Sequence, residues 1–279
     1  MAEIHWFPGH MKKALINVEE KIKLVDVIVE LLDSRAPLSS LNDDLAKLIQ
    51  NKKRVIVLSK TDLADIEQTK KWLEYFKKNN DLVIDLDLSK PNSGKIISNC
   101  VARVGKPIWD KQKAKGMKPQ PIKTMIIGIP NVGKSSLINR FAKRSAAGVE
   151  NKPGFTRGQQ WIKVSNEFVL LDTPGILPMN YENKKKAMNL ALLGSIREDI
   201  LPIEDMCRDL LDFLKFHYPD SLKARFDIEN IDNFEDAING ICERRKLLSN
   251  GTYDLQRAYK LLLTEFKNGL LGQITLEWL

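Results

Sequence analysis

Gly128-Ile129-Pro130-Asn131-Val132-Gly133-Lys134-Ser135-Ser136 follows the apolar run Thr124-Met125-Ile126-Ile127 and precedes Leu137, Ile138 and Phe141, which are spaced for one helical face. The pattern is G-x-x-x-x-G-K-[ST] set between a buried strand and an amphipathic helix. In that context the backbone can curl round a phosphate with its N–H groups pointing inward. Gly128 and Gly133 permit the curl, Lys134 reaches the β and γ phosphates, and Ser135 offers a hydroxyl to Mg²⁺. The helix that follows presents its positive end to the same anion. Asn131, Val132, Gly133, Lys134, Ser135 and Ser136 are therefore assigned to nucleotide binding.

The chain has 279 residues, 43% of them hydrophobic, enough for one large domain or two modest ones. No run of eighteen apolar residues exists, and the N-terminus carries neither a signal nor a transit pattern, so a cytoplasmic protein without a membrane partner is expected. Cys100, Cys207 and Cys242 are far apart among apolar neighbours, which suits buried thiols better than metal ligation. The net charge of +8 is unevenly divided. Residues 1–186 hold 33 Lys and Arg against 20 Asp and Glu, whereas residues 187–279 hold 11 against 16. The basic field belongs to the half with the phosphate loop and points to a polyanionic partner, most simply RNA.

Along the chain, Val25 to Leu32 reads as a strand ending at Asp33-Ser34-Arg35-Ala36-Pro37, where proline stops it. A helix around Leu41 to Ile49 leads to a strand Arg54 to Leu58, which delivers Ser59-Lys60-Thr61-Asp62 at its C-terminal end. There the Asp62 carboxylate can accept from guanine's N1–H and N2 amine while the Lys60 stem lies along the ring; adenine lacks both donors. A helix Ile66 to Phe76 and a strand Leu82 to Leu86 follow, and Asp87-Leu88-Ser89-Lys90 can give the base backbone contacts through Ser89. Gly105 to Pro121, rich in proline and lysine, reads as a linker. Trp109 there suits a surface anchor better than a base-stacking ring.

After the phosphate-loop helix, Asn151 to Gly158 is a polar loop carrying Thr156, and two short strands, Gln160 to Val164 and Glu167 to Leu171, run into Asp172-Thr173-Pro174-Gly175. An acidic residue at such a strand end holds Mg²⁺ in P-loop enzymes, which assigns Asp172 with Ser135 and Thr156 to the metal. The Gly175 N–H can approach a γ-phosphate. Beyond Met179 only helical stripes remain, such as Ile203, Met206, Cys207, Leu210, Leu211 and Leu214, so a boundary is placed near residue 180. Arg244-Arg245-Lys246 is the local candidate for a phosphate contact in that half.

The order of these motifs is unusual, because the base-reading string precedes the phosphate loop instead of following it. This is a circular permutation, and it carries Asp172-Gly175 directly into the helical half, so nucleotide state can reorient that half. Trp6-Phe7-Pro8-Gly9-His10-Met11-Lys12-Lys13-Ala14, Asp33-Ser34-Arg35-Ala36-Pro37, the permuted motifs and Leu271-Gly272-Gln273-Ile274-Thr275-Leu276-Glu277 together resemble the ribosome biogenesis GTPase A family of bacterial circularly permuted GTPases. The resemblance covers essentially the whole chain. It implies a permuted Ras-like α/β P-loop domain over residues 1–180 and a smaller all-α RNA-binding domain over 181–279. It also implies GTP/GDP with Mg²⁺ as ligands and a role in late maturation of the large ribosomal subunit, with its precursor, ribosomal RNA and nearby ribosomal proteins as partners of a monomer. A nucleotide-gated RNA-binding module with incidental hydrolysis is the alternative.

Four residues carry finer expectations. Ser59 stands where the family usually has Asn, which removes a carboxamide that would brace the base against the phosphate loop. Asn131 is a candidate K⁺ ligand. Ile176 follows Asp172-Gly175 where many GTPases carry a water-orienting Gln, so hydrolysis by the free enzyme is expected to be slow and stimulated by the particle, with His10 of the N-terminal arm as the catalytic candidate beside Lys134.

Overall fold

The computed structural model describes residues 9–78, 82–144, 161–171, 184–196, 201–228 and 233–279, the side chains of 9–15 and 142–144 excepted. Helix α1 (Gly9–Ile22) leads to β1 (Val27–Asp33), whose seven residues are all buried. A strand buried on both faces must lie inside the sheet, and β1 is flanked in parallel by β2 (Lys53–Ser59) and β4 (Ile122–Gly128). With β3 (Leu82–Leu86), β5 (Trp161–Lys163) and β6 (Phe168–Leu171), the order is β3-β2-β1-β4-β6-β5, parallel except for β5.

The chain winds from β1 outward to β3 through α2 (Asp43–Ile49) and α3 (Ile66–Lys77), then returns through α4 (Ser93–Ala114) to β4 on the other side of β1. Val18, Ile22, Leu45 and Ile49 cover one sheet face together with Trp72 and Phe76; Ile97, Val101, Leu137 and Phe141 cover the other. The reversal of direction lies between β1 and β4, and ligands of open α/β sheets bind at the carboxyl ends of strands at such a switch point. Register aligns those ends, placing Asp33 beside Ser59 and Leu31 beside Gly128.

The expected linker is mostly helix. α4 continues through Pro107 to Ala114 because its buried face, Ile97, Val101, Val104 and Gly105, packs on the sheet and outweighs the lost backbone bond. Gly105 gives Ile122 its space, since a Cβ there would lie 1.8 Å from Ile122 Cδ1 and that side chain would have to move. Only 115–121 connects α4 to β4, and Trp109 Nε1 donates to Gln120 O at 2.9 Å, which makes Trp109 an anchor.

After α5 (Lys134–Arg144) and β5–β6, the described chain is α6 (Lys184–Leu192), α7 (Ile203–His217), α8 (Asp220–Phe226), α9 (Phe234–Arg245) and α10 (Leu255–Lys267). The all-α expectation needs one amendment. β7 (Leu248–Ser249) and β8 (Thr252–Tyr253) pair antiparallel about Asn250 and Gly251, both at positive φ, the backbone an Asn-Gly hairpin turn demands. Met206, Cys207, Leu210, Ile238, Ile241, Leu262 and Phe266 form the core of this half, continuous with that of α4 and α5.

Candidate nucleotide-binding site

The phosphate loop is shaped by close backbone contacts. Gly128 lies at φ 153°, where a Cβ would sit 2.7 Å from Leu31 O, and Gly133 lies at φ 107°, where one would meet Leu88 Cδ1 at 2.8 Å. Both positions therefore require glycine. Val132 is buried beneath the loop, and Lys134 folds back so that Nζ donates to Ile129 O at 2.8 Å and Gly128 O at 3.1 Å. Burial lowers the Lys134 pKa to about 8. Ser135 and Ser136 are exposed on the first turn of α5. One hard hydroxyl oxygen at that turn is the donor a P-loop contributes to Mg²⁺, whose remaining positions go to phosphate and water, so the described residues fit the ion.

Asn131 has φ 61° and its Nδ2 donates 2.5 Å to Gly194 O, in the turn after α6. The phosphate loop is thus bonded to the helical half.

The base-reading loop is built differently. Ser59 is fully buried, its Oγ 2.9 Å from Leu32 O and 3.0 Å from Val132 O. The hydroxyl ties β2 to the phosphate loop, in the place where the family usually has a carboxamide. Lys60 has φ 56°, and its Nζ pairs with Asp33 Oδ2 at 3.0 Å. Asp33 also accepts from Arg35 Nε at 3.0 Å and Nη2 at 2.9 Å. Burial works to raise the Asp33 pKa, but Arg35 and Lys60 outweigh it and hold the group at about 2. Asp62 is exposed at the rim, and Ser89 is exposed on the next loop, where Arg140 Nη2 of α5 donates to Ser89 O at 2.8 Å and Nη1 donates to Lys90 O.

Ser59, Lys60, Asp62, Ser89 and the phosphate loop therefore converge on one end of the sheet. The His10 side chain, Thr156, Asp172 and Gly175 lie outside the described residues. Arg244 and Arg245 are not free for phosphate. Arg244 pairs with Asp227, while Arg245 and Arg225 share the buried Glu265 at 3.1 and 2.7 Å. Sequence reasoning gave no role to Asp33, Arg35, Arg140 or the C-terminal tail, although Asp33-Pro37 and Leu271-Glu277 stood out as motifs.

A parallel sheet with a glycine-bracketed phosphate loop at its switch point, a base-reading loop on the strand two places away, and that loop earlier in the chain define a circularly permuted P-loop nucleotide-binding protein. A model of the 50S ribosome-binding GTPase family matches residues 123–225. Ribosome biogenesis GTPase A of Bacillus cereus is 41% identical over 276 residues, covering 98% of this chain and 93% of its own length. That of Thermotoga maritima is 33% identical over 279 residues, with coverages of 98% and 93%. Among solved structures, GNP-bound YlqF from T. maritima aligns with a TM-score of 0.68 at 27% identity, covering 95% of this chain and 98% of that one. The chain belongs to the ribosome biogenesis GTPase A family: it binds guanine nucleotide, hydrolyses GTP and takes part in ribosome biogenesis.

Proposed function

We propose that this GTPase acts in late maturation of the large ribosomal subunit in the cytoplasm, as a monomer that docks on ribosomal RNA of the precursor particle and is released or reset by hydrolysis. Residues 1–180 form the GTPase domain and 181–279 the helical RNA-binding domain. The observation that carries the reading is that the helical half is bonded to both nucleotide loops: Gly194 O accepts from Asn131, and Gln273 Nε2 donates to Asp62 O at 3.3 Å. A change at the nucleotide is then felt where the particle is held. Among the described residues no helix is long and apolar enough to cross a membrane, which is consistent with this location.

Charge placement supports RNA as the partner and adds a second contact surface. Along α4 and the segment after it, Lys95, Arg103, Lys106, Lys111, Lys113, Lys115 and Lys118 are exposed with Asp110 as the one exposed acid, and none of the seven pairs with a described carboxylate. Lys95, Arg103, Lys106 and Lys113 fall on one helical face over roughly 27 Å, a run that can follow a phosphate backbone.

In the site, the phosphate-loop amides and Lys134 hold the β and γ phosphates, and Asp62 with Lys60 reads guanine. Ser135, Thr156 and Asp172 would hold Mg²⁺, which would neutralise phosphate charge, and Asn131 Oδ1 is the candidate ligand for K⁺. Water adds to the γ-phosphorus as the bond to the β–γ bridging oxygen breaks, giving GDP and phosphate, with His10 orienting that water when the particle is bound. Phosphate release with and without large-subunit precursors tests this. Stimulation is expected in the wild type and loss of most of it in His10→Ala, with GTP binding and docking intact. Turnover unchanged by particles would instead leave a nucleotide-gated binding module, and full stimulation of His10→Ala would remove His10 from catalysis.

A further inference from the structure

The C-terminal tail, residues 271–279, runs beneath the base-reading loop. Ile274 N donates to Leu63 O at 3.1 Å, Asp65 N donates to Thr275 Oγ1 at 3.1 Å, and Gln273 Nε2 reaches Asp62 O. Three successive tail residues thus hold the segment Asp62–Asp65 from outside. The same tail grips the loop after β1: Leu276 N donates to Arg35 O at 2.6 Å, Thr275 Oγ1 lies 3.4 Å from Ser34 O, and the Glu277 carboxylate accepts from Leu38 N at 2.6 Å and Ser39 N at 2.9 Å. That loop reaches the site again through Asp33, which fixes Lys60 and is itself held by Arg35. Arg35 Nη1 in turn donates to Lys267 O at 3.2 Å, at the end of α10.

Lys60 and Asp62 are two residues apart, yet each is anchored by groups more distant in sequence. A loop with Asp62 exposed and Lys60 in a left-handed conformation has few local contacts to fix it. We propose that Gln273 and Thr275 of the C-terminal tail, acting on the loop, and the Asp33–Arg35 pair, acting on Lys60, are positioning residues for guanine, so that base selectivity depends on how the helical domain is seated. This rests on Asp62 and Lys60 reading the base. Docking of the helical domain on RNA therefore adjusts nucleotide affinity through the base, in addition to the bond that Asn131 of the phosphate loop makes to Gly194.

The experiment compares GDP with inosine diphosphate, which lacks the N2 amine that Asp62 accepts from. Thr275→Val keeps the shape of a fully buried side chain while deleting its hydroxyl; Gln273→Ala removes an exposed contact. The double variant is expected to bind GDP about 10-fold more weakly and inosine diphosphate at most about 3-fold more weakly, since a displaced Asp62 loses its directional bonds first. Thr275→Ser, which retains the hydroxyl, is expected to keep wild-type ratios. Unchanged GDP affinity, or equal losses for both nucleotides, would overturn the positioning role. Gln273→Ala alone carries the same test at smaller amplitude if the pair lowers the melting temperature. Asp62→Asn, measured in parallel, separates the two levels: unchanged discrimination there removes the base reading itself, whereas a loss there with wild-type behaviour in the tail variants removes only the tail's part.

Discussion

The phosphate loop and the base-reading loop sit at the same end of one sheet but are held by opposite means. Gly128 and Gly133 shape the first through contacts with the strand and loop packed beside it, and Lys134 bonds to carbonyls five and six residues away. The second depends on Asp33, Arg35 and a tail more than two hundred residues downstream. A loop fixed by distant groups reports on whatever moves them, and here the base side has several bonds to the C-terminal tail where the phosphate loop has the Asn131–Gly194 bond to the helical half.

Removing the phosphate contact breaks the comparison at its strongest point. Lys134→Ala deletes the ammonium that bonds within the loop, and GTP and inosine triphosphate are expected to lose affinity or turnover together, by about 10³-fold. Nucleotide titration with both bases checks this. A loss confined to the guanine form would mean that the two loops are not independent.

The base side rests on buried charge, so acid tests it. Asp33 has its pKa depressed from an unfolded value near 4 to about 2, hence it stabilises the fold above the unfolded value and loses that contribution as pH falls through the folded one. The amount is about 2 kcal/mol, as an order of magnitude. Asp33→Asn leaves Arg35 buried without its countercharge and with one of three acceptors gone, so the variant is less stable at neutral pH. In denaturant unfolding, the gap between wild type and variant is expected to narrow from pH 4 toward pH 2. A gap that stays constant would show that Asp33 holds Lys60 by shape and not by charge.

The same contrast explains what could be read from the chain itself. The phosphate loop was legible because its cause is local: two glycines, a lysine and a serine at fixed spacing between a strand and a helix. The central strands were legible from the buried runs at Val27, Val55 and Ile122. The bond of Ser59 was not legible because its partner, a carbonyl of Val132, is brought near only by the folded sheet. The α4 extension was hidden by Pro107 and the lysines, whose local preference the packing of Gly105 on Ile122 overrides. Arg244 and Arg245 looked like an anion site until Asp227 and Glu265, one before them in sequence and one after, came within reach.

The smallest expected effect separates two kinds of surface lysine. On α3, Lys70 pairs with Glu67 and Lys77 with Glu74, both at 2.7 Å, whereas Lys106 and Lys113 on α4 have no described carboxylate partner. A paired lysine presents little net field to RNA; an unpaired one can displace the counterion of a phosphate. Each phosphate that a lysine no longer neutralises should flatten the dependence of log affinity on log salt by about 0.7 to 0.9. Lys106→Ala with Lys113→Ala is therefore expected to reduce the slope for large-subunit particles by roughly 1.5 and to weaken binding about 10-fold at low salt. Lys70→Ala with Lys77→Ala should leave the slope unchanged. GDP affinity should not move in either pair, because neither touches the loops that hold the nucleotide. If the two pairs gave the same slope, the positive charge of the GTPase domain would act as a diffuse field, and α4 would lose its place as a contact surface.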